Sequence, residues 1–194
     1  MRTEENKHTF AKDFADILVS IKAITPQEAE NMKKAFAQSN ALLFEEFIID
    51  EGLIEKQPVL VALGQYYKVP FIDVIGEFFD HLLLTNFPKD FLLRNRIIPL
   101  SIDNEELVVV AAEPTTPGLA SAIEKFSNND VVFMVGIGRD IIDSIEEFYD
   151  KAPTEVSEDI NLRQEDVDLR QEKQLKREEE DYEEREDDIF RSKL

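Results

Sequence analysis

The chain has 194 residues, of which 43% are hydrophobic, and this is enough to bury a core in one domain of about 150 residues with an appendage, or in two small domains. Its formal net charge of −20 repels phosphate backbones and anionic lipid headgroups, so the composition argues against unspecific nucleic-acid or membrane-surface binding and favours protein partners with basic patches. The absence of cysteine excludes disulfides, thiolate nucleophiles and thiolate metal sites.

The amino-terminal residues contain no apolar segment of the kind found in secretory signals. The longest purely apolar run covers only residues 107–112, far short of the roughly 20 residues that a membrane-spanning helix needs. We therefore expect a soluble, cytoplasmic protein that does not insert into a membrane itself.

Four helices are predicted in the first 69 residues. Phe10 and later apolar residues recur at helical spacing, and Thr25 with Glu28 forms a capping box around a proline at the first helical position. Gly52 can adopt the left-handed conformation that favours a helix end. The predicted helices cover about residues 10–21, 26–38, 41–51 and 57–67.

The helical unit repeats itself after thirty residues. Phe14–Val19 aligns with Phe44–Ile49, and Ala23–Thr25 aligns with Leu53–Glu55. Two copies of one helix–turn–helix motif are therefore predicted.

Beyond Pro70 the pattern changes to short apolar runs separated by turn residues, which is typical of strands. Two runs flank Asp103–Glu105 as a hairpin, Thr116 and Pro117 open a helix, and a last helix has an apolar face that includes Ile141 and Tyr149. The predicted strands cover residues 97–102, 106–111 and 131–135. We predict an α+β fold in three parts: a duplicated helical unit over residues 1–69, a small three-stranded sheet with packed helices over 70–150, and a charged tail over 151–194.

The predicted tail has sixteen Asp or Glu residues against nine Lys or Arg. It is too poor in apolar residues to offset the entropy of ordering, so a disordered segment or a single charged helix is expected. The sequence of residues 162–165 recurs one heptad later at residues 169–172, and this leaves two alternatives: a solvated tail with a chance repeat, or an amphipathic segment that folds on a partner. The candidate partner-binding residues are Leu162, Val167, Leu169, Tyr182 and Phe190.

Five segments in the same order carry a resemblance to a known family. They are Pro70–Val74, Phe87–Phe91, Arg96–Leu100, Leu107–Pro114 and Ile141–Tyr149. Residues from about 14 to 150 resemble the N-terminal domain of the assembly ATPases of type II secretion and type IV pilus systems.

The resemblance implies an adaptor for a hexameric motor, which in type II secretion docks on the cytoplasmic part of an inner-membrane platform protein. The motor needs a Gly-x-x-x-x-Gly-Lys-Ser/Thr loop to hold phosphate. The glycines of this chain are residues 52, 64, 76, 118, 136 and 138, and none is followed by Lys-Ser or Lys-Thr. We therefore expect a docking module without catalytic activity.

Some members of that family bind cyclic di-GMP through an Arg-Leu-Gly at the start of each motif copy and a glutamine near its end. The matching positions here are Asp13–Ala15 and Leu43–Glu45, and the second glutamine position is Tyr66. No arginine occurs from Thr3 to Leu93, and arginine is the residue that stacks on guanine. We expect the repeat to serve as a packing scaffold and do not expect cyclic di-GMP binding.

No catalytic, cofactor or metal site is predicted. His8 and His81 are expected to be solvated and match no metal-binding spacing. Asp73 and Asp80 are expected at a strand end and on a helix face, and residues 136–138 at a strand-to-helix turn.

The predicted function is that of a non-catalytic adaptor or scaffold of a bacterial secretion or pilus machine. The expected partners are a separate ATPase, a platform protein or the coupling complex of another apparatus such as type IV secretion, and docking at the inner membrane would be through such a partner. The alternative is a regulator that responds to cyclic di-GMP.

Overall fold

The computed structural model describes residues 4–150, with side chains described from residue 6 to residue 149. Among the described residues, those up to Tyr149 form one compact unit. The predicted α+β fold class is confirmed. The elements in chain order are α1 (Glu4–Ser20), α2 (Pro26–Gln38), α3 (Phe44–Asp50), α4 (Lys56–Tyr67), α5 (His81–Thr85), α6 (Lys89–Asn95), β1 (Ile97–Asp103), β2 (Glu106–Ala111), α7 (Leu119–Ile123), β3 (Asp130–Val135) and α8 (Gly138–Asp150).

The predicted repeat is visible in the backbone of the helical unit. After α1, the amide of Lys22 donates to Val19 and that of Ala23 donates to Leu18, each at 3.0 Å. After α3, the amides of Gly52 and Leu53 make the same two bonds thirty residues later, at 2.9 and 3.0 Å. Both helices therefore end in a Schellman motif, with a left-handed residue at φ 61° in the first copy and φ 64° in the second.

The predicted capping box at the start of α2 is present. The Thr25 side chain accepts a hydrogen bond from the Glu28 amide at 3.3 Å, and the Glu28 carboxylate accepts one from the Thr25 amide at 2.7 Å. Backbone N–H groups at the start of the helix, which have no acceptor within it, therefore donate to side chains. The third helix, by contrast, begins only at Phe44 rather than at the predicted Ala41.

The three strands form one mixed sheet in the order β1-β2-β3. β1 and β2 are the predicted antiparallel hairpin, whose turn residues Asn104 and Glu105 both have positive φ, as a type I′ turn requires. β3 runs parallel to β2, with Ala111 opposite Val135, and the segment containing α7 makes the crossover.

Two short helices between the helical unit and the sheet are not predicted by the spacing of apolar residues. Asp80, expected on a helix face, is instead the N-cap of α5 and accepts hydrogen bonds from the amides of Leu82 at 2.8 Å and Leu83 at 3.2 Å. α5 and α6 have only five and seven residues, so each is too short to show a helical period.

The segment that follows α4 joins the helical unit to the sheet. The amide of Val135 donates to Pro70 at 2.8 Å and the amide of Ile72 donates to Val135 at 3.0 Å, so Phe71 forms a parallel bridge at the edge of β3. Gly64 makes this approach possible, because a Cβ atom there would lie 2.9 Å from the Phe71 ring and 3.2 Å from the Val69 carbonyl oxygen.

Two hydrophobic clusters hold the unit together. One is built from α1 to α4, with Phe14, Phe44 and Leu60 at its centre, and also includes Val135 and Ile137. The other lies around the sheet and contains the buried hydrophobic residues from Val74 to Ile145 other than Val135 and Ile137. The division into domains at residues 69 and 70 stays a prediction.

Candidate functional site

The start of each motif copy is packed in the helical core. Phe14 and Phe44 are almost completely buried, and their rings meet edge to face at 6.3 Å. Ala15 is fully buried and Glu45 is only 5% exposed, whereas Asp13 is exposed. The triplets Asp13–Ala15 and Leu43–Glu45, which the sequence comparison aligns with Arg-Leu-Gly, therefore consist mainly of core residues.

The glutamine position of the second copy is also part of an aromatic cluster. The Tyr66 ring contacts Phe10 at 4.7 Å and Tyr67 at 5.0 Å between ring centroids. Phe10 in turn stacks on Phe14 at 5.1 Å. These contacts agree with a packing role for the repeat, and the absence of cyclic di-GMP binding stays a prediction.

A lysine at the start of α4 connects the helical unit to two acidic residues around the sheet. Lys56 Nζ lies 3.1 Å from an Asp73 carboxylate oxygen and 3.0 Å from Asp140 Oδ2. Burial acts to lower the pKa of Lys56, but hydrogen bonds to Asp140 and Asp73 outweigh it and raise the pKa above its ordinary value. Asp73 also accepts a hydrogen bond from the Ile75 amide at 3.1 Å, so it lies in a loop and not at the predicted strand end.

A second ion pair joins α3 to the start of α8. Arg139 donates through both guanidinium nitrogens to the Asp50 carboxylate, with Nη2 to Oδ2 at 2.6 Å. The hydrogen bonds to Asp50 raise the pKa of Arg139 further. A bidentate pair fixes the relative orientation of the two side chains as well as their charge.

Glu46 lies between two arginines. Burial raises the pKa of Glu46, although attraction to Arg96 and Arg139 partly opposes this effect. The closest contact between the Glu46 carboxylate and Arg96 Nη1 is 3.7 Å, which is too long for a hydrogen bond.

A cleft of about 420 Å³ opens beside this pair, between the α2–α3 loop, the end of α6 and the segment after β2. Arg94 is exposed and makes no side-chain hydrogen bond or ion pair within the part of the chain that the structure describes. The lining combines cationic, polar and apolar side chains, namely Lys7, Leu42, Leu43, Arg94, Asn95, Arg96, Ala112, Glu113, Thr116 and Leu119. We call it the Arg94 cleft.

Sequence reasoning did not find the Arg94 cleft. A signal was nevertheless available, because Arg94 and Arg96 are the first arginines after the long stretch without arginine that ends at Leu93. In a chain with net charge −20, two closely spaced arginines beside a leucine-rich segment mark an unusual surface.

The two histidines differ in their surroundings. His8 is exposed on α1, as predicted. His81 is half-buried, its ring lies 5.0 Å from Phe148, and its Nδ1 atom is buried without a hydrogen-bond partner. The prediction of a solvated His81 was therefore wrong, because α8 packs next to the start of α5.

The predicted partner-binding residues of the tail lie outside the described residues, so their role stays a prediction; they are Leu162, Val167, Leu169, Tyr182 and Phe190. Between residues 4 and 150, no group of three or more acidic or histidine side chains is arranged to hold a metal ion. Over the same residues, every helix is too short or too polar to cross a bilayer.

The loop over Pro70–Val74 bridges to β3 and is followed in the chain by the β1–β2 hairpin and, last, by α8. Residues 67–155 match an MshEN domain. The MshEN match contains the whole sheet and both short helices, whereas most of the duplicated helical unit precedes it.

Two solved structures also align with the chain. A structure of MshE with cdg aligns with a TM-score of 0.55 at 17% identity and covers 70% of this chain and 98% of that chain. The N-terminal domain of XpsE aligns with a TM-score of 0.48 at 16% identity, covering 75% of this chain and 96% of that chain. No curated protein matches the chain. The predicted resemblance to the N-terminal domains of type II secretion and type IV pilus assembly ATPases is confirmed, and the likeness to MshE is one of fold.

Proposed function

We propose that the chain is a non-catalytic adaptor of a bacterial secretion or pilus-assembly machine. The observation that carries the proposal is the MshEN match over residues 67–155, a domain of the kind found in secretion and pilus ATPases. The partners are a separate ATPase, a platform protein or a coupling complex, including that of type IV secretion. The adaptor works in the cytoplasm and reaches the inner membrane through one of these partners.

Two properties of the chain support a non-catalytic adaptor. The printed sequence contains no Gly-x-x-x-x-Gly-Lys-Ser/Thr loop, which a phosphate-cleaving motor requires. The described unit is also held by ion pairs that join distant segments, such as Arg139 with Asp50 and Lys56 with Asp73 and Asp140. A rigid docking surface suits an adaptor because little ordering entropy is lost on binding.

Fractionation of the native host tests this function. The chain is expected to sediment with inner membranes in cells that carry the machine, and to be released when membrane-associated proteins are stripped by high salt or carbonate. A matched strain that lacks the platform protein should leave the chain in the soluble fraction. Recovery of all the chain in the soluble fraction of both strains would contradict docking.

A regulator that binds cyclic di-GMP is the second candidate function. It is favoured by the fold similarity to MshE, of which a structure with cdg is known. Against it stand Glu45, which is buried at one motif position, and Tyr66, which packs on Phe10 at another.

Thermal denaturation separates the two candidates. A ligand that binds only the folded state stabilises it by about 2.7 kcal/mol at a concentration one hundred times its Kd, so a regulator should melt several degrees higher with cyclic di-GMP. MshE serves as the positive control. We expect no shift for this chain, and a reproducible rise in Tm would establish the regulator.

A further inference from the structure

We propose that the Arg94 cleft binds an acidic segment of a protein partner, with carboxylates paired to Arg94 and Arg96 and an apolar side chain placed against Leu42. The proposal rests on the adaptor function and adds the chemistry of the partner. An acidic partner segment is the opposite of what the net charge of the whole chain suggests, since an acidic protein is expected to select basic partners.

The local charge of the cleft is opposite to that of the whole chain. The cleft is lined by three cationic side chains, those of Lys7, Arg94 and Arg96, and by one acidic side chain, that of Glu113. The whole chain, in contrast, carries a net charge of −20. At physiological salt, charges are screened beyond about 8 Å, so a ligand seated in the cleft interacts chiefly with the lining and not with distant carboxylates. An acidic segment is therefore attracted once it is in contact.

Both arginines have guanidinium N–H groups that can donate to a ligand in the cleft. Arg94 lies in the last turn of α6 and is exposed without a partner among the described residues. Arg96 is held by its backbone, since its carbonyl accepts a hydrogen bond from the Ala112 amide at 3.1 Å and its φ is 50°. Its Nη1 atom stays 3.7 Å from the Glu46 carboxylate. Guanidinium groups match carboxylates in a planar, bidentate geometry, so both side chains suit acidic peptide residues.

The apolar part of the lining indicates that the ligand is not purely charged. Leu42 is 50% exposed at the cleft, while Leu43 and Leu119 below it are buried. Covering an exposed leucine removes apolar surface from water, which favours binding of an apolar side chain next to the carboxylates.

A peptide fits this lining better than a free phosphate or nucleotide does. Phosphate sites commonly present glycine-rich backbone amides, and the lining of the Arg94 cleft contains no glycine. Glu113 also faces the cleft region and repels a ligand that concentrates two negative charges at one point. Carboxylates spaced along a peptide can pair with Arg94 and Arg96 and avoid Glu113.

Selection from a random peptide display library against the full chain tests the proposal. The selected peptides are expected to be rich in Asp and Glu next to Leu or Phe. Their affinity, measured by fluorescence anisotropy, should fall about tenfold or more for Arg94→Gln, since a charge-assisted hydrogen bond contributes about 1.5–3 kcal/mol. Arg94 is exposed, so this variant should retain the wild-type Tm.

Lys125→Gln is the matched control, because Lys125 is an exposed cation of the same unit that does not line the cleft. It removes the same charge and should leave peptide affinity within about twofold. Basic selected peptides, no enrichment, or equal affinities for wild type and Arg94→Gln would overturn the proposal. Competition by inorganic phosphate or cyclic di-GMP that sodium chloride of equal ionic strength does not reproduce would assign the cleft to a phosphate ligand and also overturn it.

The outcome is separable from that of the adaptor function. Membrane fractionation of the Arg94→Gln variant reports whether the chain still docks. If the Arg94→Gln variant loses peptide binding but still docks, the adaptor function stands and the cleft binds a partner other than the one that holds the chain at the membrane. If the wild-type chain does not dock, the adaptor function itself is rejected.

Discussion

Different residues adopt the same left-handed backbone conformation at two equivalent positions of the repeat. Lys22 and Gly52 both end a helix with positive φ, and glycine adopts this conformation without strain whereas lysine does not. A Cβ atom at Gly52 would have no neighbour within 4 Å, so only the backbone conformation distinguishes the two residues there. The repeat was predictable because the apolar pattern survived in both copies, whereas the strain at Lys22 was not, since lysine carries no turn signal.

Exchange of these residues gives the first prediction. Lys22→Gly should raise the free energy of unfolding by about 0.5–1 kcal/mol, because strain in the left-handed conformation is relieved. Gly52→Ala should lower it by about 1 kcal/mol for the opposite reason. Urea denaturation of both variants measures the two changes. A loss of stability in Lys22→Gly would contradict the strain.

Glu46 gives a prediction about pH. Burial raises the pKa of Glu46 in the folded state, so this carboxyl contributes stability below its unfolded pKa of about 4.3 and loses that contribution as pH rises through the folded pKa. Glu46→Gln should therefore be more stable than wild type at pH 7, and the difference should shrink toward pH 4. Urea denaturation at the two pH values measures this. A Gln variant that is less stable at pH 7 would show that attraction to Arg96 and Arg139 outweighs burial.

At the scale of elements, prediction succeeded where local signals were complete. The capping box of α2 and the turn of the β1–β2 hairpin are local in sequence, and both are present. The short helix α5 and the late start of α3 were missed. Five to seven residues carry too little periodicity to be recognised, and the N-cap of α3 is Leu43, which makes no side-chain cap.

Thr25→Ala tests how much the capping box contributes. The variant loses the hydrogen bond to the Glu28 amide and the hydroxyl contact with the Glu28 carboxylate at 2.8 Å. We expect a loss of about 1 kcal/mol in the free energy of unfolding. Ser20→Ala removes an exposed hydroxyl that bonds only to the Ile17 carbonyl, so it should change stability by less than about 0.5 kcal/mol. Equal effects of the two substitutions, measured by guanidinium denaturation, would argue against the cap.

At the scale of the whole molecule, the contacts that hold distant segments together could not be read from the sequence. Asp73 is seventeen residues from Lys56, and Asp50 is eighty-nine residues from Arg139. Charged residues are abundant in this chain, so no pattern singles out these pairs before the fold brings them together. The Arg94 cleft was missed for the same reason, because its lining comes from four separate stretches.

Lys56→Gln tests the link between α4 and the acidic residues that flank the sheet. The variant loses ion pairs to Asp73 and Asp140, and because these groups are partly exposed we expect a cost of about 1 kcal/mol that diminishes at high salt. Lys33→Gln, which removes a solvent-exposed pair with Glu30 on a single helix, should cost clearly less, because water and salt screen that pair. Thermal denaturation at low and high salt measures both, and equal costs would indicate that the Lys56 link adds nothing to an ordinary surface pair.

The proposed adaptor joins components of a secretion or pilus machine. Affinity purification of the tagged full chain from its native host, after mild cross-linking and with quantitative mass spectrometry, tests this most directly. We predict enrichment of an assembly ATPase, a platform protein or a coupling-complex subunit over a tag-only control. Recovery of the chain alone, or only with metabolic enzymes, would contradict the adaptor function.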